Sequence, residues 1–486
     1  MRRIILSCLL FAMLLPLASP ANAAPVVGTK VADAAVQRAA SEGRVRVLVM
    51  LRPQVTVPAL SPDAALKRTA EAEPRPMLHP KVRAQVDRVL SALPRRSQAR
   101  VLRRFERIPA IVMEVDAGTL AVLARDPRVL RVDVDAAGGM ASAPDESTVL
   151  NQMHQLPELG FAGSGMKVAV IDSGIDTDHA DFRGRIVGQQ CYCAANCCPN
   201  GSATQSGAGA AEDDQGHGTN VAGIIGGDGT VAPRGALPSV SLVAVKMLDR
   251  NGRFSTTADA LSALDWLAAQ HPDVDAVNLS IGTDALFAGD CDSSAAWTQA
   301  QAVAVANLNA LGAVVTSSAG NQGNANAMSA PACLHAVLST GATWDFSGGA
   351  VTFLGCSETS TAPKQLACFS NRSATTDLFA AGAFVRAPGF NGGTSSFGGT
   401  SQAAPMVAAC AVALKQAVPA STVAQRMDAM MLSTQRIADP AVNRQYPFLD
   451  CRDALRLLDP SIFAPIPLRG SQPKHPPPAL PASGGG

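Results

Sequence analysis

Gly398-Gly399-Thr400-Ser401-Gln402-Ala403-Ala404-Pro405 is the stretch that decides how the rest of this chain is read. Residues 391–397 before it are mostly Gly, Ser, Thr and Asn and read as a loop. Residues 406–414 after it are apolar and small, and read as a closely packed buried helix. Ser401 therefore falls where a loop becomes a helix N-terminus. Backbone N–H groups point outward there, and the helix dipole favours negative charge. A serine so placed can be a nucleophile whose oxyanion is met by those N–H groups. It can equally be an ordinary N-cap. Two upstream stretches shift the balance toward the nucleophile.

Residues 168–176 read Val-Ala-Val-Ile-Asp-Ser-Gly-Ile-Asp. Four apolar residues ending in Asp172 and a Gly turn describe a buried parallel strand. Its carboxylate lies at the C-terminal end, where open α/β sheets place their sites. Residues 216–223 read Gly-His-Gly-Thr-Asn-Val-Ala-Gly, with glycines flanking His217 at the start of an apolar helix. Asp172, His217 and Ser401 supply the three parts of a charge-oriented nucleophile.

These three stretches, with Ser317-Ser318-Ala319-Gly320-Asn321 as a fourth, resemble the subtilisin-like serine proteases, over roughly residues 165–458. The resemblance implies a peptide-bond hydrolase working through an acyl-enzyme. Asp172 would hold His217, His217 would take the proton of Ser401, and Asn321 would join the Ser401 N–H as the oxyanion hole. It implies protein and peptide substrates and no cofactor for the chemistry. A peptide ligase of the same fold, or a binding module that kept the fold without the activity, are the alternatives. Four intact motifs argue against the binding module and leave the ligase open.

The 486 residues suggest two or three domains with ample material for a core. A net charge of +1 argues against a nucleic-acid partner. The balance hides an asymmetry of about +8 over residues 24–140 and about −9 over residues 141–486. Parts of opposite sign attract each other.

Residues 1–23 read as a secretory signal, with Arg2 and Arg3, an apolar core and the Ala21-Asn22-Ala23 cleavage pattern. The apolar run is short for a bilayer span. The expectation is a secreted protein, extracellular or periplasmic, with no membrane association once the signal is removed. Residues 24–140 read β-α-β-β-α-β, a small α+β, ferredoxin-like arrangement. It looks like the inhibitory propeptide of the family, which makes the chain's own N-terminal part an intramolecular inhibitor. An ordinary accessory domain is the alternative. On the propeptide reading, residues 135–140 lie in the cleft like a product. Residues 136–148 read as a linker, with the processing site expected at about 135–148.

Residues 141–460 alternate strands and helices, which predicts an α/β domain: a parallel sheet with helices on both faces. Ser280, Ile281 and Gly282 resemble the family's segment beside the primary specificity pocket. Gly252, Arg253 and Phe254 lie where its other substrate-pairing edge is found. A substrate would add as a strand between them. The apolar lining suggests apolar residues before the scissile bond.

Ten cysteines remain after signal removal, an even number that argues for disulfides in a secreted chain. Cys291 with Cys333, Cys356 with Cys368, and Cys410 with Cys451 are candidate pairs. Cys191, Cys193, Cys197 and Cys198 lie in one insertion, where zinc is the alternative to disulfides. The resemblance also offers a structural calcium through Asp181, although residues 226–238 depart from the family's usual loop. Residues 461–486 are rich in Pro and Gly and read as an extended tail.

Overall fold

The computed structural model describes residues 30–52, 79–94, 99–135, 138–139, 147–433 and 435–463. The signal-like segment and nearly all of the tail lie outside them.

The N-terminal module contains α1 (Asp33–Glu42), β1 (Val45–Leu51), α2 (His79–Leu90), β2 (Arg100–Arg104), β3 (Ala110–Val115), α3 (Ala117–Arg125) and β4 (Val129–Val134). Its sheet has the order β2-β3-β1-β4 with every pairing antiparallel. Asp116 caps α3 by accepting from Thr119 N at 2.7 Å. The β1 sequence VRVLVML lacks a polar alternation because both faces of the sheet are covered. Val47, Val49 and Leu51 pack with Val82, Val86, Leu120 and Leu123 of the module's own helices. Leu48 and Met50 face the other way and share a core with Leu261, Leu264 and Val305 of the larger part. Helix α1 was not anticipated, since only Ala35 and Ala39 of it are buried and give little apolar periodicity.

After β5 (Gly138–Gly139) come β6 (Lys167–Asp172), β7 (Ile186–Tyr192), β8 (Thr204–Ser206), α4 (His217–Gly226), β9 (Ser241–Lys246), β10 (Arg253–Phe254) and α5 (Thr257–Gln270). They are followed by β11 (Ala276–Leu279), β12 (Gly282–Thr283), α6 (Ala296–Ala310), β13 (Val314–Ser318), β14 (Leu338–Trp344), β15 (Leu378–Gly389), β16 (Gly393–Gly398) and α7 (Thr400–Ala417). The main sheet runs β16-β15-β14-β13-β11-β6-β9-β7-β8. Its seven inner strands are parallel, and β16 and β8 pair antiparallel at the edges. This is an α/β fold with a mostly parallel sheet between helices. Successive β6 residues feed opposite cores: Val168 and Val170 pack with α4 and α7, and Ala169 and Ile171 with α5 and α6. Burial on both faces explains the unbroken apolar run.

Strands β9 and β7 lie on one side of β6, and β11, β13 and β14 on the other. The order therefore reverses at β6, and a crevice opens beyond its C-terminal end. Asp172 stands there, with Ser280 just past β11 and Asn321 just past β13.

One expectation is corrected and one alternative falls. Residues 391–397 are not a simple loop: β16 covers most of them, paired with β15 from Ala383↔Gly398 to Gly389↔Gly393. Gly, Ser and Thr carry no alternation signal, so the partner strand sets the structure. The zinc alternative also fails. Cys191 is bonded to Cys198 and Cys193 to Cys197, alongside Cys291–Cys333, Cys356–Cys368 and Cys410–Cys451. Sulfurs held in disulfides cannot ligate as thiolates.

Candidate active site

His217 is the first residue of α4, and its Nδ1 lies 2.7 Å from Asp172 Oδ1. Both side chains are fully buried. Asp172 Oδ1 also accepts from Ser173 N at 2.7 Å. Two features hold the ring on the carboxylate. Asp213 accepts from the N–H groups of Gln215, Gly216 and Thr219, at 3.0, 3.0 and 3.1 Å, which fixes the start of α4. Gly218 permits the close approach: a Cβ there would stand 2.0 Å from Gly174 O and 3.0 Å from Asp172 Cβ. His217 Nε2 is buried without a hydrogen-bond partner, and the edge of the Phe397 ring pair lies at a 5.6 Å centroid distance.

Ser401 sits in the first turn of α7, as its sequence position implied, and the helix starts at Thr400 rather than Met406. Its Oγ donates to the Ser280 carbonyl at 3.3 Å and makes no bond to His217. In return Ser280 Oγ donates to the Ser401 carbonyl at 2.6 Å. Pro405 accounts for that second bond. It lies four residues on and has no N–H, so the Ser401 carbonyl has no helical donor. Asn278 Nδ2 donates to Ser280 Oγ at 2.8 Å and keeps that hydroxyl aimed.

Asn321 Oδ1 accepts from Thr400 N at 2.9 Å and from Thr400 Oγ1 at 3.0 Å. With the carbonyl oxygen so engaged, the amide's donor end is left for another acceptor beside Gly399. Gln402 Nε2 donates to Asn220 Oδ1 at 3.3 Å and joins the serine helix to the histidine helix.

The two substrate-edge stretches come together with a strand between them. Strands β10, β5 and β12 form a three-stranded sheet in that order. Gly139 is antiparallel to Arg253 on one side and to Gly282 on the other, and Gly138 to Phe254 and Thr283. Residues just before β5 anchor the module. Asp135, nearly buried, accepts from Thr256 Oγ1, from Thr257 Oγ1 at 2.6 Å and from Ala258 N at 3.2 Å, at the N-terminus of α5. Asp133 accepts from Ala296 N at the N-terminus of α6. Carboxylates at helix N-termini meet free N–H groups and the positive dipole end. Asp265 reciprocates from α5, accepting from Glu106 N at 2.9 Å and Arg107 N at 3.0 Å. Arg103 reaches Asp259 at 3.3 Å and lies over the Tyr192 ring. Burial pushes Asp259 up to about 7, against the opposing pull of Arg103.

The sequence reading missed Asp213, Asp135, Asp133, Asp259 and Asp265. A signal existed for two of them: an acidic residue at or just before the start of an apolar helix, as in Asp213 before His217 and Asp259 after Thr257; Asp265 lies in the middle of α5. Asp133 and Asp135 lie on a strand end, and only the docked arrangement reveals their partners.

Asp181 does not fit a cation. Its two carboxylate oxygens accept from Val231 N at 2.6 Å and Ala232 N at 3.0 Å. Each oxygen thus faces a backbone N–H donor, where a calcium shell would need further oxygen ligands. Among the described residues no three His, Cys, Asp or Glu side chains are grouped to hold a metal. Nor is any described helix long and apolar enough to cross a membrane.

Residues 163–448 match the profile of the Subtilase family (Peptidase S8). The chain is 29% identical over 353 residues to the minor extracellular protease Epr of Bacillus subtilis (strain 168), covering 69% of this chain and 47% of that protein. It is 30% identical over 331 residues to an extracellular serine proteinase of Thermus sp. (strain Rt41A), covering 66% and 70%. It is 28% identical over 334 residues to subtilisin E of Bacillus subtilis (strain 168), covering 68% and 76%. A solved structure, of a cold adapted subtilisin-like serine proteinase, aligns at 25% identity and a TM-score of 0.45, covering 60% of this chain and 90% of that one. The family profile spans the elements that carry Asp172, His217, Asn321 and Ser401, and on that match the chain belongs to the subtilase family of serine endopeptidases.

Proposed function

We propose that this chain is a secreted endopeptidase that is made as a self-processing precursor. Ser401 attacks the scissile carbonyl, and His217 takes its proton at Nε2 and later passes it to the leaving amine. Asp172 holds the imidazole tautomer with the proton on Nδ1. Asn321 Nδ2 and Ser401 N bind the oxyanion. Proton transfer requires Ser401 Oγ to exchange the Ser280 carbonyl for Nε2 as its hydrogen-bond partner.

The observation that carries the triad reading is the 2.7 Å contact of two fully buried side chains, Asp172 and His217, with Nε2 left unpartnered. The propeptide reading rests on β5, paired on both sides by the edges expected to bind substrate. Substrate strands bind to free sheet edges through main-chain hydrogen bonds. A domain whose end lies in that place blocks the cleft until it is cut and released.

A fluorophosphonate probe tests the chemistry, because it labels only an activated serine. Labelling of the processed chain at Ser401, lost in His217→Ala, is the expected result. Full-length Ser401→Ala should stay unprocessed. If it matures in isolation, self-cleavage is wrong.

A further inference from the structure

Arg253 and Asp284 stand on opposite sides of the cleft strand and are joined across it. Arg253 is on β10, and Asp284 follows β12 by one residue. The guanidinium donates to Asp284 Oδ2 at 2.7 Å and to Oδ1 at 3.3 Å. Strand β5 runs between β10 and β12. Neighbouring strands are about 4.8 Å apart, so the flanking strands are separated by roughly 9–10 Å. An arginine is long enough to bridge that gap.

The register fixes which face the bridge crosses. Arg253, Gly139 and Gly282 lie directly opposite one another, so their side-chain positions share a face. Asp284 is two residues beyond Gly282 and returns to that face. The ion pair therefore passes over the face that a side chain at position 139 would occupy. Position 139 is glycine, which has no side chain to meet the bridge.

We propose that the Arg253–Asp284 pair is a strap across the bound substrate strand that selects for glycine at the residue paired with Gly282. The proposal rests on the protease reading above and adds a specificity determinant to it. The selected residue is the third before the scissile bond. Ser401 Oγ touches the Ser280 carbonyl, two residues before Gly282 on the same edge. In an antiparallel pairing the substrate residue opposite Ser280 is two residues after the one opposite Gly282. Its carbonyl is the one presented to Ser401.

The strap is exposed, with side chains 50% and 61% accessible. Exposed pairs contribute at most about 1 kcal/mol, so a larger side chain can open it, and selection should not exceed about 5-fold.

The test uses the full chain after it has processed itself, and two peptides that differ only in Gly or Leu at the third residue before the cut. The ratio of their kcat/KM values should favour glycine by up to about 5-fold in the wild type. It should fall to about 1 in Arg253→Ala and in Asp284→Ala. The charge-swapped Arg253→Asp/Asp284→Arg double variant should restore it, which a merely destabilised cleft would not. Cleavage of both peptides without preference, or a preference unchanged in the two single variants, would overturn the strap. Failure of the folded, processed wild type to cut either peptide would overturn the protease reading instead, and the strap with it.

Discussion

Ser280 and Ser401 exchange hydrogen bonds, the Ser280 hydroxyl donating to the Ser401 carbonyl at 2.6 Å and the Ser401 hydroxyl to the Ser280 carbonyl at 3.3 Å. The first bond exists because Pro405 leaves the Ser401 carbonyl without a helical donor. The second holds the Ser401 hydroxyl beside the strand edge that pairs with β5. One pair of residues thus joins the start of α7 to that edge, and under the proposed mechanism a substrate strand entering along it meets a serine already held in position.

Ser280→Ala should therefore affect more than binding. The Ser401 carbonyl would be buried without a donor, at a cost of about 1–3 kcal/mol. The expected result is a lower Tm together with a fall in kcat, because the backbone of the nucleophile loses its anchor. A variant with unchanged Tm and only a raised KM would make Ser280 a substrate contact alone.

Asn321→Ala should lower kcat by roughly 100- to 1000-fold, the usual effect of losing one oxyanion donor. The variant also removes the acceptor for Thr400 N and Oγ1, so a modest loss of stability accompanies it. Asn321→Asp separates the two effects. It keeps the acceptor for Thr400 and removes the donor, so kcat should fall while Tm is largely retained. A full kcat in Asn321→Asp would exclude the donor role.

The parts legible in the sequence were those with local chemistry. Four apolar residues ending in Asp172, a His217 between glycines and a serine before a small-residue helix each describe a buried strand end or helix start. What stayed hidden depends on distant partners. Strand β16 reads as loop because its pairing with β15 supplies the order its own residues do not. Net charge suggested that basic residues of the module do the docking, and Arg103 does reach Asp259. Asp133 and Asp135, of the opposite sign, dock as well, because what they meet is the free N–H groups of α6 and α5 rather than a net charge. Asp181 was read as a metal ligand by resemblance, and the altered loop 226–238 instead brings two N–H groups onto it.

The mature N-terminus is expected at Ser142. Gly139 pairs with Gly282, and the reacting carbonyl belongs to the residue opposite Ser280, two residues further along the chain. Counted along the sequence from Gly139 that residue is Ala141, so the bond expected to be cut is the one before Ser142, which lies outside the described residues. N-terminal sequencing of the processed chain checks this. A start displaced by one residue would mean that the register shifts before cleavage, and a start outside residues 141–143 would dissociate β5 from processing altogether.

The docking of the module should weaken as pH rises through neutrality. Burial raises Asp259 to about 7, against the pull of Arg103 of the module at 3.3 Å, of the Ala194 N–H and of Arg46, while Asp135 adds to the rise. Burial likewise raises Asp135 and Asp265, the other interface carboxylates. Once the module leaves, Asp259 meets water and returns toward the ordinary value of about 3.9. The docked state then binds more protons than the separated state between about 4 and 7. A carboxylate raised in the docked state supports docking fully at low pH, and that support is lost as pH climbs past about 7. The cut module should therefore stay docked longer at pH 5.5 than at pH 8.5. The lag between self-cleavage and the appearance of activity should shorten by at least about tenfold over that range, since one pKa unit corresponds to 1.36 kcal/mol. Asp259→Asn keeps an acceptor for Ala194 N, which bonds Asp259 at 3.0 Å, and removes the titration. Its lag should change much less with pH. The measurement is the lag for the two chains at several pH values. A wild-type lag that lengthens toward pH 8.5, or a slope unchanged in Asp259→Asn, would mean that the interface carboxylates do not govern release.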